Sequence, residues 1–501
     1  MNTRNVISRI TQVNFKLIAV MFLMGIISVF FGLLAVTASP VMIGLGTGMV
    51  LGPVMLLMPE LTIWVLLVIG LLMGILSSSP QLGKVTWVVS ILSMLLMLPV
   101  LTNLIWSKER QMPSFMLVAL VFLGYCVLTS IIRWHSLGEF AAGFKHYFQA
   151  FGLMMAFVMI AFPPQSYVRW RKFLLVVALL QFPFALYELL VLVPQRGGVS
   201  LSSDTTDVIA GTFGANLQGG SPNSVMVIFL FITLSFLVAR WRAGLMQSKY
   251  FYPLASVCMM PLGMGETKIA VIMLPLVGFV LLRKDFIKAP IRYLPALLIM
   301  ALLTALLGYL YITLMMHSNL SDVIDASLRY NIGSQGYSSG QYLNRLTSIT
   351  FWFQQQGWHD PLGFLLGNGL GSSYTSLGTM SGHLGLKYLH FGINLTATST
   401  VLWDTGVIGC TLFLSIFVMA WVAAERLNKS VSDPFVKADA LAIQAAIGLF
   451  LLSVVYSDSI VNLLSMEMIY AVVLGYLGYL MNFHGLLYKR SVSESSTKHD
   501  A

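Results

Sequence analysis

Long apolar runs, recurring from one end of the chain to the other, leave little choice of solvent for it. They lie at about 17–38, 41–58, 60–76, 85–106, 114–132, 146–163, 173–193, 222–239, 250–264, 267–282, 293–315, 399–423, 438–456 and 462–482. A helix needs about 20 apolar residues to cross a hydrocarbon core. Backbone in lipid must also satisfy its own hydrogen bonds, which leaves helices as the way to use such runs. The spacing predicts an all-α polytopic membrane protein of about 12–14 transmembrane helices, with residues 1–501 forming a single integral membrane domain. The run at 250–264 is the weakest, being short and holding Pro253 and Pro261. The runs 41–58 and 60–76 are parted only by Pro59 and Glu60, so they form either a hairpin or one broken helix. The first run follows Arg4, Arg9 and Lys16 and is longer than a signal-peptide core, which reads as an uncleaved first span.

Composition excludes a soluble alternative. Charged residues make up 10% of the chain and hydrophobic ones 57%, against about 25% charged in soluble domains. Cys126, Cys258 and Cys410 sit inside apolar runs, with neither disulfide nor metal-ligand spacing. The net charge of +10 suggests a polyanion partner until the cations are placed. With the N-terminus inside and sides alternating, 21 of the 29 Lys and Arg fall on the cytoplasmic side. That is the positive-inside bias of a multi-pass protein with both termini in the cytoplasm, so the charge reports topology and not nucleic-acid binding.

The remaining eight cations fall outside: Lys84, Arg133, Lys145, Arg196, Lys268, Arg329, Arg345 and Lys387. The longest outward segment is 316–398, far longer than a connection requires, and such loops usually carry function. The polar tail 488–501 reads as a disordered cytoplasmic segment.

Several of these residues are candidates for chemistry. Lys84 and Lys145 lie at span ends, where snorkelling accounts for them. Arg133, Arg196, Arg329 and Arg345, with Lys268, are candidates for gripping a pyrophosphate at the membrane surface, because a guanidinium fork matches phosphate oxygens. The alternative is solvated loop charge. Glu266 stands beside Lys268 at a span end, as a catalytic acid or as a first-turn residue favoured by the helix dipole. Glu188 and Glu467 are ionisable groups inside apolar runs, either functional or paired to hold helices together, and Asp458 reads as a cap.

Six of the eight histidines fall outside: His135, His146, His317, His359, His383 and His390. Of these His390 is the first candidate for a general base, followed by His383 and His359. Residues 342–358 place Leu343, Leu346, Ile349 and Phe353 on one helical face. That pattern suits a helix lying in the membrane interface or one packed on other loops. Gly367, Gly369 and Gly371 then form a tight turn able to bring backbone close to a ligand. No HExxH and no Cys/His cluster is present, so no metal and no cofactor is expected. No outward loop holds Asp-x-Asp, which argues against a metal-dependent transferase using nucleotide sugars.

In order, the chain carries GTFGANLQGGSPN at 211–223, GETKIAVIMLP at 265–275, NRLTSITFWF, PLGFLLGNGLGSS and HFGINLTATSTVLWDTGVIGCT at 390–411. This succession resembles the O-antigen ligase and Wzy-type polysaccharide polymerase superfamily over roughly residues 205–425. The resemblance implies a metal-independent, inverting glycosyltransferase of GT-C-like fold in the bacterial inner membrane. Its donor would be an undecaprenyl-pyrophosphate-linked oligosaccharide, taken at the periplasmic face. Arginines would hold the pyrophosphate, and a His or an acid would activate the acceptor. The implied partners are that donor, a glycan or lipid acceptor, membrane lipid and, for a polymerase, a chain-length regulator. Arg329 to Gly340 matches the family's Arg-x10-Gly pattern. Ligases place a His-[Asn/Ser/Gln] pair eleven residues before a Gly-x-x-Gly. Here Gly406–Gly409 is present, but that position holds Leu395 and His390 lies five residues earlier. The departure favours a polymerase joining repeat units over a ligase transferring glycan to lipid A–core. A flippase for lipid-linked oligosaccharide also suits the span count. It needs charge in a central cavity open alternately to both sides, whereas these cations gather around one loop.

Overall fold

The computed structural model describes residues 52, 54–72, 74, 85–106, 110–195, 208–215, 221–265, 269–291, eight positions between 294 and 309, 320–334, 336, 342–375 and 381–487. Among the described residues every regular element is helical. In chain order these are α1 (Pro59–Leu72), α2 (Val85–Leu95), α3 (Met97–Trp106), α4 (Ser114–Ile132), α5 (Leu137–Phe148), α6 (Phe151–Met159) and α7 (Pro164–Tyr187). Next come α8 (Ser221–Arg242), α9 (Ser248–Met264), α10 (Ala270–Lys288), α11 (Leu320–Ile332), α12 (Arg345–Gln355), α13 (Pro361–Leu366) and α14 (His383–Lys387). The last three are α15 (Ala397–Ser430), α16 (Pro434–Tyr456) and α17 (Leu464–Phe483).

The chain separates into two compact units, Met1–Val65 and Leu66–Ala501. In the first, a helical piece at 54–57 is interrupted at Met58, and Pro59 opens α1. The Thr62 hydroxyl donates to Met55 O at 2.6 Å across the interruption, so this stretch is a broken helix. Proline fits the start of a helix because it has no N–H to leave unpaired.

Among the described residues of the second unit, seven helices are long and apolar enough to cross a membrane: Thr86–Ile105, Ser114–Ile132, Pro164–Gln195, Pro222–Arg242, Ala397–Ser430, Pro434–Tyr456 and Leu464–Phe483. The chain is thus an all-α, multi-pass membrane protein. The other expected spans differ for separate reasons. The runs at 17–38 and most of 41–58 lie outside the described residues, as does the tail 488–501. The run 146–163 is divided by a turn at residues 149–150 between α5 and α6. The run 250–264 forms a helix of 17 residues, and α10 carries Arg283, Lys284, Asp285 and Lys288 in its last turns.

One end of this unit is an ionic layer. Asp439 is fully buried and takes a bidentate pair from Arg240, with Nε and Nη2 each donating at 2.8 Å. Tyr476 OH donates to the same carboxylate at 2.7 Å, and Arg171 Nη1 lies 3.7 Å away. Both guanidinium groups also sit over the Phe435 ring. Beside them Arg283 bridges Glu425 and Gln444, and Arg242 pairs with Asp285. A buried charge survives only when paired and hydrogen-bonded, and these pairs tie α7, α8, α16 and α17 together. The cations joined here, Arg171, Arg240, Arg242, Arg283 and Lys284 among them, are ones the sequence places on a single side.

The opposite end is built from chain turns and short helices. Here α15 is two helices joined at Gly406, whose φ of 66° no L side chain adopts readily. A Cβ at Gly406 would also lie 2.4 Å from Leu365 O. The kink lets the 361–366 segment pass directly against α15.

Candidate functional site

The Gly-rich turn organises this end. Gly367, Gly369 and Gly371 all have positive φ, at 82°, 94° and 81°. The turn does cradle a carboxylate, but it is the protein's own. Asp404 is 1% exposed, and its Oδ1 accepts the Ser372 hydroxyl at 2.8 Å and the Ser373 N–H at 2.9 Å. Its Oδ2 accepts the Tyr147 hydroxyl at 3.1 Å and the Gly371 N–H at 3.2 Å. The turn also spends backbone donors on α15, with Asn368 N–H donating to Trp403 O and Gly369 N–H to Asp404 O. These glycines let the loop wrap a buried side chain, and Gly371 also lines the cleft beside it. A Cβ on Gly371 would lie 2.5 Å from Glu139 O, which brings the turn hard against α5.

Arg133 follows α4 and reaches the same loop. Its Nη2 donates to both oxygens of Asp360, at 2.8 and 3.0 Å. Asp360 in turn caps α13 by accepting the Gly363 N–H. Burial pushes the Asp360 carboxyl up. The Gly363 N–H and the Arg133 guanidinium outweigh it and hold the group below the usual carboxylate range.

His383 opens α14, where its Nδ1 lies 3.0 Å from Glu139 Oε1 and its N–H donates to Glu139 Oε2 at 2.9 Å. Glu139 is buried at the third position of α5, and the His135 ring lies 4.4 Å from that of His383. Backbone bonds from Leu384 and Gly385 to Ser372 O then fasten α14 to the Gly-rich turn. Arg133, His135, Glu139, His383 and the turn thus form one neighbourhood.

A second neighbourhood surrounds α12. Asn344 caps this helix in a reciprocal capping box with Thr347, and its Nδ2 donates to Arg329 O and Gly333 O, docking α11. Arg345 Nε donates to Tyr456 O at 2.7 Å, Nη1 donates to Asn331 Oδ1, and the guanidinium lies 4.2 Å from the Tyr456 ring centre. Arg345 is thus held against the end of α16. Arg329 is exposed on α11, and His390 is exposed on the turn leading to α15. Leu343 N–H donates to Phe391 O, which brings His390 into this second group. His359 is exposed after α12. Arg196, Glu266 and Lys268 lie outside the described residues.

The 342–358 helix packs through Thr347, Ser348 and Trp352, with the Trp352 ring stacked on Phe364 at 5.0 Å. Leu346, Phe353 and Trp358 stay exposed. The segment is thus packed on neighbouring loop residues through Leu343, Phe351 and Trp352, with Leu346 and Phe353 left outward. Glu188, considered for function or a buried ion pair, instead accepts the N–H groups of Ala210 and Gly211 at 2.8 and 2.7 Å. It anchors the GTFG segment to α7. Glu467 accepts from Gln149 at 2.7 Å. Asp458 stands at the cap position of Ser459–Asn462, where it accepts the Asn462 side chain and makes no side-chain bond to the helix N-terminus.

A small cleft opens beside the Gly-rich turn, lined by His146, Tyr374, Asn394, Asp404 and Asn462 among others. His146 Nδ1 is 3.3 Å from Asn462 O, and its ring is 4.2 Å from that of Tyr374.

Sequence reasoning missed Asp404 and Glu139. Asp404 had a signal, an acid inside an apolar run. The pairing of Glu139 with His383 bridges 244 positions and had none.

No family model matches the chain, and no curated protein matches it.

Proposed function

We propose that this protein is a glycosyltransferase of the bacterial inner membrane. It polymerises undecaprenyl-pyrophosphate-linked repeat units into O-antigen or exopolysaccharide on the face away from the cytoplasm. The observation that carries the reading is the division of charge between the two ends. Among the described residues, Arg171, Arg240, Arg242, Arg283 and Lys284 at one end pair with acids in an ionic layer, whereas the other end gathers Arg133, held by Asp360, with Arg329, Arg345, His383 and His390 on short helices and turns, Arg329 and His390 being exposed. The ordered motifs at 211–223, 265–275 and 390–411 support the same reading.

The chemistry asks little of the protein. The donor already carries pyrophosphate as its leaving group. The enzyme orients the acceptor hydroxyl, accepts its proton and meets the charge that grows on the departing phosphate. Arg329, exposed on α11, is the donor open to a ligand. Arg345 is fixed against Tyr456 and supplies positive potential from a set position. His383 or His390 takes the acceptor proton, and a single displacement inverts the anomeric carbon.

The test is polymer formation from lipid-linked repeat added to the outer face of proteoliposomes. Arg329→Ala and Arg345→Ala should each abolish polymer while the protein stays in the membrane. Arg345→Lys should also be poor, because a point charge cannot reproduce the fork. Wild-type chain length and yield in both alanine variants would overturn the assignment. In a deletion strain, single-repeat products support a polymerase, and accumulated lipid-linked polymer would instead assign a ligase.

A further inference from the structure

We propose that His135, Glu139 and His383 form a binding site for a divalent transition-metal ion, with Zn²⁺ as the best match. One ligating atom from each residue lies within 4.8 Å of the other two. The donors come from three different local settings. His135 is on the link after α4, Glu139 is in the first turn of α5, and His383 opens α14. Two of the three positions are already fixed. Glu139 is buried, and its Oε2 accepts the His383 backbone N–H at 2.9 Å, which sets the carboxylate and the imidazole in register. His383 Nδ1 is 3.0 and 3.1 Å from the two carboxylate oxygens. His135 is exposed, its ring tilted at 36° and 4.4 Å from that of His383, which leaves a route in from solvent.

The donor set selects the ion. Two imidazoles and one carboxylate suit zinc, which takes such ligands at about 2.0–2.2 Å and keeps a fourth position for water. Calcium and magnesium require oxygen donors and are disfavoured here. The ion's effect follows from what His383 holds. Backbone bonds join α14 to Ser372 and Tyr374, so a metal between α5 and α14 clasps the Gly-rich loop to the α4–α5 link. If the glycosyl-transfer reading holds, His383 becomes a ligand when the ion is bound, and His390 is left to take the acceptor proton.

The experiment uses full-length, tag-free protein in detergent, stripped with a chelator and then equilibrated with Zn²⁺. Bound metal is read by mass spectrometry and its geometry by the visible spectrum of the Co²⁺ form. Wild type should retain one ion per chain with a tetrahedral Co²⁺ spectrum. His135→Phe keeps a ring against His383 but no donor, and Glu139→Gln keeps the hydrogen-bonding shape but no charge. Each should bind at least roughly tenfold more weakly, with unchanged helical circular dichroism. A wild type that takes up no more Zn²⁺ than His135→Phe overturns the proposal. Because metal is read directly, that result is independent of any transfer assay.

Discussion

Replacing Asp404 isolates the contact on which the loop end depends. Four donors converge on this carboxylate: the Ser372 and Tyr147 hydroxyls and the Gly371 and Ser373 amides. Two of them, the amides, can only donate, so each carboxylate oxygen has one partner that requires an acceptor. Asp404→Ala strands all four donors in a site that is 1% exposed. At about 1–3 kcal/mol for each stranded donor, partial relaxation still leaves a loss on the order of 4 kcal/mol, comparable to breaking a buried charged network. Asp404→Asn is the sharper probe. It keeps one acceptor oxygen and turns the other into an N–H₂ that faces one backbone N–H and one hydroxyl able to turn and accept, so about half the loss, roughly 2 kcal/mol, is expected. The measurement pairs the unfolding midpoint in mixed detergent with amide exchange at residues 369–373. The amides of Gly371 and Ser373 should lose protection while those of the ionic layer keep theirs. An Asp404→Asn protein with wild-type midpoint and wild-type protection at both amides would refute the reasoning.

Other substitutions test separate parts of the fold. Gly406→Ala should destabilise by about 2 kcal/mol or more, since a Cβ there meets Leu365 O at 2.4 Å at a φ of 66°. Gly124→Ala, with nothing within 4 Å, should be neutral or slightly stabilising in the same unfolding assay. Asp360 has a depressed folded-state pKa, so its contribution is present above the unfolded value of about 3.9 and is lost as pH falls through the folded value. Proteolysis of the 356–366 segment should therefore accelerate below about pH 4 in wild type and lose that pH dependence in Asp360→Asn. The effect will be small, since the Arg133 and Asp360 side chains are 29% and 37% exposed. Asp439→Ala should cost about 3 kcal/mol by leaving Arg240, half-buried, without its partner. Adding Arg240→Leu should restore part of that in a double-mutant cycle.

The membrane class and the grouping of the basic residues at one end were legible because each depends on local composition. Arg171, Arg240 and Arg283 could be grouped from their spacing along the chain alone. The span boundaries were less so. The 146–163 run is apolar throughout, yet the chain turns at residues 149–150, and hydropathy does not record a turn between two buried helices. In the site, the glycines of 367–371 were visible as a turn, but what they wrap was not. Asp404 lies more than thirty positions away and becomes their partner only through the fold. Arg345 illustrates the same limit, because its Tyr456 partner lies on another helix. Glu188 shows that an acid in an apolar run can serve to hold a neighbouring backbone, a use that residue type does not distinguish from catalysis.

The Asp439 cluster carries a consequence for biogenesis. Its members are numbered 171, 240, 439 and 476. During synthesis Arg171 and Arg240 enter the bilayer 268 and 199 residues before the acid that neutralises them is made. Until then the early helices have every reason to stay loosely associated, with their guanidinium groups drawn to the headgroups. Insertion of the final hairpin closes the circuit, so a nascent chain arrested before Asp439 should be a ready substrate for membrane quality control.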